Sequence, residues 1–227
     1  MTSRYTLTVV GPDGDEASQA LPSVTEILDR VLAKPGLHDW YYKTGVAGFS
    51  QLVGKYGGKL PPDIKSLHSL MKQEQLSPYS LRDLAAKEGS KVHDAVLGLT
   101  KGRKPRDLPN LTKFWALRGW KRPNILAAEQ IVYSLANGYA GKVDLVYEED
   151  GMVTLSDIKS GEVRDSHMLQ VAMYREAWEQ MGNRLIDRLS IIQVPRDGGE
   201  CSETFVSEYG LAGAVDGIIS LYKWLKG

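Results

Sequence analysis

The sequence predicts a mixed fold, α/β or α+β, in which helices pack around a central sheet. Three observations lead to this prediction. The first hundred residues have mainly helical patterning. Two strong hairpin signals, Asn137-Gly138 and Asp150-Gly151, then join three strand-like runs. A helical segment and the Leu- and Ile-rich run 185–194 follow, which is typical of a helix crossing to a buried strand.

Composition narrows the class of protein. The chain has 227 residues, with Lys+Arg 28 against Asp+Glu 28, so its formal net charge is zero. The single cysteine, Cys201, excludes an internal disulfide framework and a multi-thiolate zinc or iron–sulfur site. No apolar run reaches the roughly 18 residues of a membrane span, and the N-terminus lacks a secretion signal. We therefore expect a soluble, cytosolic protein without a membrane partner.

The elements of the N-terminal part follow from local signals. We predict a single domain over 1–227, made of a mainly helical part at 1–100, a basic segment at 101–122 and a sheet with flanking helices at 123–227. Ser23 and Glu26 form a capping box that begins a helix. The other expected elements are a strand at 4–10, helices within 40–76 that Gly57-Gly58 and Pro61-Pro62 interrupt, and a helix at 81–99 that Ser80 caps.

The basic segment, residues 101–122, departs from the neutral average. It carries a net charge of +7, so the rest of the chain carries −7. Its cations are Lys101, Arg103, Lys104, Arg106, Lys113, Arg118, Lys121 and Arg122, with Phe114, Trp115 and Trp120 between them. Basic residues with interleaved aromatics suit contacts with a nucleic-acid backbone and bases, although a solvated loop would have the same composition.

The C-terminal part is predicted element by element from its turns. Strands are expected up to Ala136, over 139–149 and over 152–159. A helix that Asp165 or Ser166 caps should end before Gly182. A buried strand at 185–194, a short strand near 203–208 and a helix at 211–225 complete the chain.

The two turns, taken as two-residue loops, predict which side chains share a face. In the first hairpin Ala136 pairs with Tyr139, which puts Glu129 diagonal to Asp144 on one side. In the second hairpin Glu149 pairs with Met152, which puts Asp144 opposite Asp157. Lys159 is two residues further along and shares that face. A register error of one residue would separate the faces.

This cluster of three carboxylates and a lysine indicates metal-dependent chemistry. Like charges that face each other destabilise a sheet unless a pKa rises or a cation binds. Oxygen ligands favour Mg²⁺ or Mn²⁺, and such an ion with a lysine beside it suits phosphodiester hydrolysis. The alternative is an ordinary solvated strand face, with Glu129 merely paired to Lys142.

The motifs in this region resemble the PD-(D/E)xK nuclease superfamily, and within it the RecB-like exonucleases. The resemblance covers roughly residues 22–180. It depends on the ordered series Gly89–His93, Glu129, Gly141–Asp144, Asp157-Ile-Lys159-Ser-Gly161 and Gln170–Tyr174. Phage exonucleases, CRISPR-associated exonucleases and the mitochondrial genome maintenance exonuclease are similar. Ser156 stands where the superfamily nominally has proline.

The resemblance implies a restriction-endonuclease-like core and a role for each motif residue. Asp144, Asp157, the Ile158 carbonyl and His93 would bind one metal ion, and Glu129 would hold a second ion or its water. Lys159 would activate the attacking water. Gln170 and Tyr174 would brace the site and contact DNA, although they could also merely pack the helix on the sheet. Arg103, Lys104 and Arg106 are the expected backbone-binding residues of the basic segment.

The resemblance implies a Mg²⁺- or Mn²⁺-dependent exonuclease, with one or two ions per site, acting on linear single- or double-stranded DNA. The implied setting is phage-type recombination, replication or repair in the bacterial or phage-infected host cytoplasm. A single-strand-binding or recombination protein is a possible partner, and the chain could be a monomer or part of a ring. The alternatives are a structure-specific or restriction-type endonuclease and a non-catalytic nucleic-acid-binding module. His38, His68 and His167 are expected at the surface or in packing, and Cys201 is expected to be inert.

Overall fold

A computed structural model describes residues 4–10, 16–34, 36–103, 108–117 and 124–227. Two compact units make up the chain. One unit comprises residues 1–33 and 92–227, and the other comprises residues 34–91. The mainly helical part predicted at 1–100 is therefore divided between them. Within the described residues, no helix is both long enough and apolar enough to cross a bilayer.

The larger unit is built on a five-stranded sheet. In chain order its strands are β3 (Asn124–Ser134), β4 (Tyr139–Glu149), β5 (Met152–Lys159), β6 (Arg188–Gln193) and β7 (Ser202–Phe205), and they are neighbours in that order. All pairings are antiparallel except β5 with β6, which is parallel. The predicted mixed sheet with a three-stranded antiparallel meander is confirmed.

Helices cover both faces of this sheet. On one face lie α1 (Val24–Val31), α6 (Asp165–Gln180) and α7 (Leu211–Lys226), which form a core with residues such as Val143 and Leu155. On the other face Val92 and Val96, near the end of α4 (Pro78–Thr100), pack with Leu111 of α5 (Pro109–Leu117). The sheet is thus the middle layer of three, and side chains at the ends of its strands lie between the two helical layers.

The unit of residues 34–91 is helical. It contains α2 (Leu37–Tyr56), α3 (Ile64–Gln73) and the first part of α4. The predicted interruption at Gly57-Gly58 is confirmed, because both glycines have positive φ after α2. The predicted cap of α4 is wrong: the Ser80 N–H donates to the Ser77 hydroxyl, 3.0 Å away, so Ser77 caps the helix.

The N-terminus forms a hairpin that the sequence analysis missed in part. The strand β1 (Arg4–Val10) was predicted, but it pairs antiparallel with β2 (Glu16–Pro22), which was not. Ser23 caps α1 as predicted, since its hydroxyl accepts from the Glu26 N–H at 3.0 Å. The Glu26 carboxylate accepts from the Tyr222 hydroxyl at 3.1 Å and so ties α1 to α7.

The hairpin registers agree with the prediction in one case and differ in the other. At Asp150-Gly151 both φ angles are positive and Glu149 pairs with Met152, as predicted. At the first turn Ser134, not Ala136, pairs with Tyr139, so the loop has four residues instead of two. The Ser134 hydroxyl accepts from the Asn137 N–H and widens that turn. A shift of two residues leaves the predicted faces between Gln130 and Ser134 unchanged, because the strand period is two.

Candidate active site

Asp144 lies where β4 and β5 separate. The ladder between these strands ends at Leu145 and Ser156. One step further, Oδ2 of Asp144 accepts a hydrogen bond from the Ile158 N–H at 2.7 Å, so a side chain takes over from the main-chain ladder. The carboxylate is 6% exposed, and this bond fixes one of its oxygens. The other oxygen, Oδ1, is left for a second partner.

Glu129 approaches Asp144 from β3 through an unusual backbone conformation. Its φ is +55°, which is rare for a non-glycine residue and costs on the order of 1–3 kcal/mol. The alternation of faces inverts at this point in both strands: Ala128 and Leu145 pack on one face, whereas Val132 and Val143 pack on the other. If the strands alternated regularly, Ala128 and Val132 of β3 would lie on one face, and Val143 and Leu145 of β4 would likewise share a face. The inversion brings both carboxylates to one place.

His93 completes a three-residue cluster with these carboxylates. It lies in α4, next to Val92, which is buried against the sheet. Its Nδ1 is 3.2 Å from Oδ1 of Asp144 and 3.4 Å from Oε1 of Glu129. The hydrogen bond to Asp144 raises the pKa of the imidazole, against the opposing effect of burial. The second oxygen of Glu129 forms an ion pair with Lys142. The pairing of Glu129 with Lys142, which the sequence also allowed, therefore occurs beside the contact with His93.

Asp157 and Lys159 lie two residues apart on β5. Oδ2 of Asp157 is 2.7 Å from Nζ of Lys159. That oxygen is buried and accepts no hydrogen bond of regular geometry from the described residues. Burial raises the pKa of Asp157 to about 7, and the Lys159 ammonium acts in the opposite direction. A buried carboxylate with a free lone-pair direction is a ready ligand for a cation.

Gln170 and Tyr174 connect the lysine to α6. Lys159 Nζ donates to Oε1 of Gln170 at 3.1 Å, and Nε2 of Gln170 donates to the Tyr174 hydroxyl at 2.8 Å. Both residues lie on one face of α6 because they are four residues apart. Burial raises the pKa of Tyr174, so its hydroxyl stays protonated. The pair therefore positions Lys159; contact of either residue with DNA remains a prediction.

The donor set fits a divalent cation. One ligand atom from each of His93, Glu129 and Asp144 lies within 4.8 Å of the other two. Asp157 is not a member of that group, but its Oδ2 is a buried carboxylate oxygen without a regular hydrogen bond. Two carboxylates and an imidazole suit Mn²⁺ or Mg²⁺, with the imidazole favouring Mn²⁺. The Ile158 carbonyl stays a predicted ligand, while its N–H already serves Asp144.

The basic segment is only partly described. Arg103 is exposed and follows the end of α4, where its N–H donates to the Gly98 carbonyl at 2.8 Å. Lys104 and Arg106 lie outside the described residues. Lys113, on α5, is 3.9 Å from Glu200. The contact of this segment with a nucleic acid therefore stays a prediction.

The remaining histidines and the cysteine take the places expected of them, with one exception. His38 is exposed, and His68 packs edge-on against Tyr79. Cys201 is half-buried, and burial raises the pKa of its thiol to about 11, which suits an inert residue. His167 instead helps to cap the start of α6: its Nδ1 accepts from the Arg164 N–H at 3.1 Å, and Arg164, rather than Asp165 or Ser166, is the N-cap residue.

Lys142 is a site residue that the sequence analysis weighed only as a rival interpretation. It lies on the same strand as Asp144, two residues earlier. Charged residues two positions apart on an alternating strand share a face, and this pattern could have identified Lys142 together with Asp144. Arg164 and Arg196 were not predicted as site residues. Arg164 immediately precedes α6 and Arg196 follows β6, so no spacing in the sequence joins them.

The comparisons with known proteins add little to this geometry. No protein-family model matches the chain, and no curated protein matches it. Among solved structures, the chain is similar to "Crystal structure of SSO0001" with 14% sequence identity and a TM-score of 0.30. The match covers 51% of this chain and 58% of that chain, so it spans less than two thirds of the other protein. Similarity at this level carries no argument about fold or function.

Proposed function

We propose that the chain is a metal-dependent deoxyribonuclease that degrades linear DNA as an exonuclease. The observation that carries the proposal is the meeting of Asp144, Asp157 and Lys159 at the point where β4 and β5 separate. The Asp144 carboxylate bonds to the backbone of β5, and Lys159 contacts Asp157 on the same strand. His93 and Glu129 adjoin Asp144 from two other elements. Five polar side chains thus converge on one partly buried place.

The residues of the site divide the chemistry among them. Asp144, Asp157, Glu129 and His93 would hold Mg²⁺ or Mn²⁺, as one or two ions. Such an ion supplies charge neutralisation at the phosphate and lowers the pKa of a bound water. Lys159, which Gln170 holds at 3.1 Å, would orient the attacking water and offset the negative charge that develops on the pentacoordinate phosphate in the transition state.

The strand arrangement supports the same proposal. A three-stranded antiparallel meander, a crossover helix and a parallel strand are what the resemblance to PD-(D/E)xK nucleases implies, and β3 to β6 with α6 follow that order. We include a restriction-endonuclease-like core in the proposal on this basis. The expected setting is phage-type recombination, replication or repair, with DNA as the macromolecular partner.

The test uses linear and covalently closed circular DNA of one sequence, in Mg²⁺ or Mn²⁺. The wild-type chain should degrade the linear form and leave the closed circle intact. Asp144→Asn, Asp157→Asn and Lys159→Met should each reduce degradation at least about 10³-fold, while far-ultraviolet circular dichroism stays unchanged. Asp216→Asn, an exposed carboxylate on α7, is the matched control and should leave the rate unchanged.

Three outcomes would contradict this proposal. Cleavage of the closed circle would make the protein an endonuclease. DNA binding without cleavage in any divalent ion would make it a binding module. Full activity in all three site variants would remove the assignment of the active site itself. End-labelled single- and double-stranded substrates in the same assay would give polarity and strand preference.

A further inference from the structure

A cavity adjoins the acidic cluster and is lined mainly by cationic and hydrogen-bonding groups. Its volume is about 270 Å³. His93 and Lys159, which belong to the candidate active site, line one side of it. Its other lining residues are Ile158 of β5 and six residues from the loop after β5, the start of α6 and the loop after β6: Ser160, Gly161, Glu162, Arg164, His167 and Arg196. The cavity is therefore continuous with the candidate active site.

The loop after β5 is held in place by the neighbouring strand. The Val194 N–H donates to the Lys159 carbonyl at 2.8 Å, and Nε2 of Gln193 donates to the Gly161 carbonyl at 2.9 Å. These bonds fix the backbone on both sides of Ser160. A fixed loop with a side-chain hydroxyl can present its donors to a ligand without a large loss of conformational entropy.

Arg196 spans the cavity to this loop. Its Nε donates to the Ser160 hydroxyl at 3.1 Å, and its Nη2 would lie 3.5 Å from a Cβ built on Gly161. No acidic side chain forms an ion pair with Arg196 among the described residues, so its terminal N–H groups can serve a ligand. A guanidinium that is oriented in this way binds phosphate oxygens in a fork geometry.

The start of α6 adds two further donors. Nδ1 of His167 accepts from the Arg164 N–H, which fixes the tautomer with the proton on Nε2. Burial, together with the charges of Lys159 and Arg164, lowers the pKa of His167 to about 4, so the imidazole is a neutral donor at pH 7. Arg164 has an exposed ion pair with Glu162 at 3.6 Å, which a stronger anion can displace.

We propose that this cavity is a phosphate-binding subsite, in which Arg196, Ser160, His167 and Arg164 hold a phosphate group of the DNA strand next to the scissile bond. The inference rests on the proposed nuclease function and assigns a substrate contact that the acidic cluster does not supply. The ligand chemistry is a phosphate oxygen pair, from either an internal phosphodiester or a terminal monophosphate. By fixing one phosphate, the subsite sets the register of the strand relative to the acidic cluster.

The test measures binding without cleavage, by fluorescence anisotropy of a labelled single-stranded 12-mer in Ca²⁺. Arg196→Gln should weaken binding roughly tenfold and reduce the slope of log Kd against log salt by about one. Arg196→Lys should recover part of the loss because the charge returns. Arg184→Gln, at the other end of α6 and paired with Glu148, is the matched control and should change neither quantity.

A second arm identifies which phosphate is bound. Single methylphosphonate substitutions are moved along the 12-mer, and the 5′ or 3′ terminal phosphate is removed in separate oligonucleotides. Removal of the charge at one phosphate should weaken binding by the wild-type chain about as much as Arg196→Gln does. When that oligonucleotide is combined with Arg196→Gln, the loss of affinity should be no larger than for either change alone. An internal position identifies a phosphodiester, and a terminal one identifies a monophosphate.

The outcomes separate this inference from the proposed function. Coupling at one phosphate without cleavage in Mg²⁺ or Mn²⁺ would keep the subsite and overturn the nuclease. Cleavage by the wild-type chain with no phosphate coupled to Arg196 would overturn the subsite and keep the nuclease. No binding of the 12-mer by the wild-type chain, either as a single strand or annealed to its complement, would overturn the subsite, and cleavage of linear DNA would then decide the nuclease separately.

Discussion

Gly141 is the residue of β4 against which the Tyr174 ring packs. A Cβ at this position would lie 2.3 Å from Cε1 of Tyr174 and 3.3 Å from Cγ2 of Val24. Gly141 belongs to the Gly141–Asp144 motif, and the structure gives the physical reason for a glycine there: the Tyr174 ring lies directly on the β4 backbone. Tyr174 in turn bonds to Gln170, so this contact reaches Lys159 through two hydrogen bonds.

Gly141→Ala should therefore reduce both stability and activity. The buried ring cannot move away freely, so we expect a loss of about 1–3 kcal/mol in the free energy of unfolding, measured by urea denaturation. The cleavage rate should fall even where the circular dichroism spectrum shows that the secondary structure is retained, because the position of Lys159 shifts.

Gly217→Ala is the control for this change. It lies inside α7 with nothing within 4 Å of the built Cβ, and it should be neutral or stabilising by up to about 1 kcal/mol. Equal effects of the two substitutions would contradict the packing argument.

The protonation of His167 should make the stability of the chain depend on pH. Its pKa is about 4 in the folded chain, against about 6.5 when it is unfolded, so the unfolded state binds the proton more readily. The stability that this group contributes is complete above pH 6.5 and is lost as the pH falls towards 4. His167→Gln removes the titration, and its side-chain oxygen can still accept from the Arg164 N–H.

The measurement compares wild-type and His167→Gln chains by urea denaturation between pH 7.5 and pH 4. The wild-type chain should lose more stability than the variant between pH 6.5 and 4, where the two unfolding curves should converge or cross. A difference in the free energy of unfolding that is the same at pH 7 and at pH 4.5 would show that His167 does not titrate in this way.

Among the elements, the strands divide into those that turn chemistry could predict and those that it could not. Asp150-Gly151 fixed the register of β4 with β5, and with it the approach of Asp144 to Asp157. The first hairpin differed by two residues because the Ser134 hydroxyl widens the turn, a contact that no propensity encodes. The positive φ of Glu129 could not be predicted either, since a strand prediction assumes regular alternation. Local turns predicted the grouping of the strand residues, and the resemblance predicted His93, Gln170 and Tyr174. Long-range contacts determined the geometry of them all.

Edge strand β7 is joined to the sheet by a buried polar network that the sequence did not indicate. Oε1 of Glu203 accepts from the Ser190 hydroxyl at 2.5 Å and from the Tyr147 hydroxyl at 2.8 Å. Ser190 also bonds to Ser156, the residue that stands in place of the nominal proline. One carboxylate therefore connects four neighbouring strands through hydroxyls that have no access to water.

Glu203→Leu should destabilise the chain because it leaves these buried hydroxyls without their acceptor. Each unsatisfied group costs about 1–3 kcal/mol, so the loss in the free energy of unfolding should be about 2 kcal/mol or more. Glu203→Gln retains an acceptor oxygen and should recover part of it.

Glu200→Leu, whose side chain is 95% exposed, is the control and should cost less than about 0.5 kcal/mol in the same denaturation assay. If Glu203→Leu behaves like this control, the network does not stabilise the edge strand.

Across the whole molecule, zero net charge results from segregation. Residues 34–91 carry nine Lys or Arg against five Asp or Glu, a net +4, so the larger unit carries −4. Within that unit the basic segment holds +7, which leaves −11 on the rest, where the acidic cluster lies. An excess of negative charge around buried carboxylates favours the binding of cations, and the folded state should gain the binding free energy.

Divalent ions should therefore raise the melting temperature of the wild-type chain, and the site residues should account for the increase. At an ion concentration of 100 times Kd the gain is about 2.7 kcal/mol. Asp144→Asn should abolish the shift for both ions because it removes the central ligand. His93→Gln should weaken Mn²⁺ binding more than Mg²⁺ binding, since imidazole favours the transition metal. His68→Gln, in residues 34–91, is the control. Differential scanning fluorimetry at constant ionic strength separates binding from general screening, and an equal shift in Asp144→Asn and wild type would place the cation elsewhere.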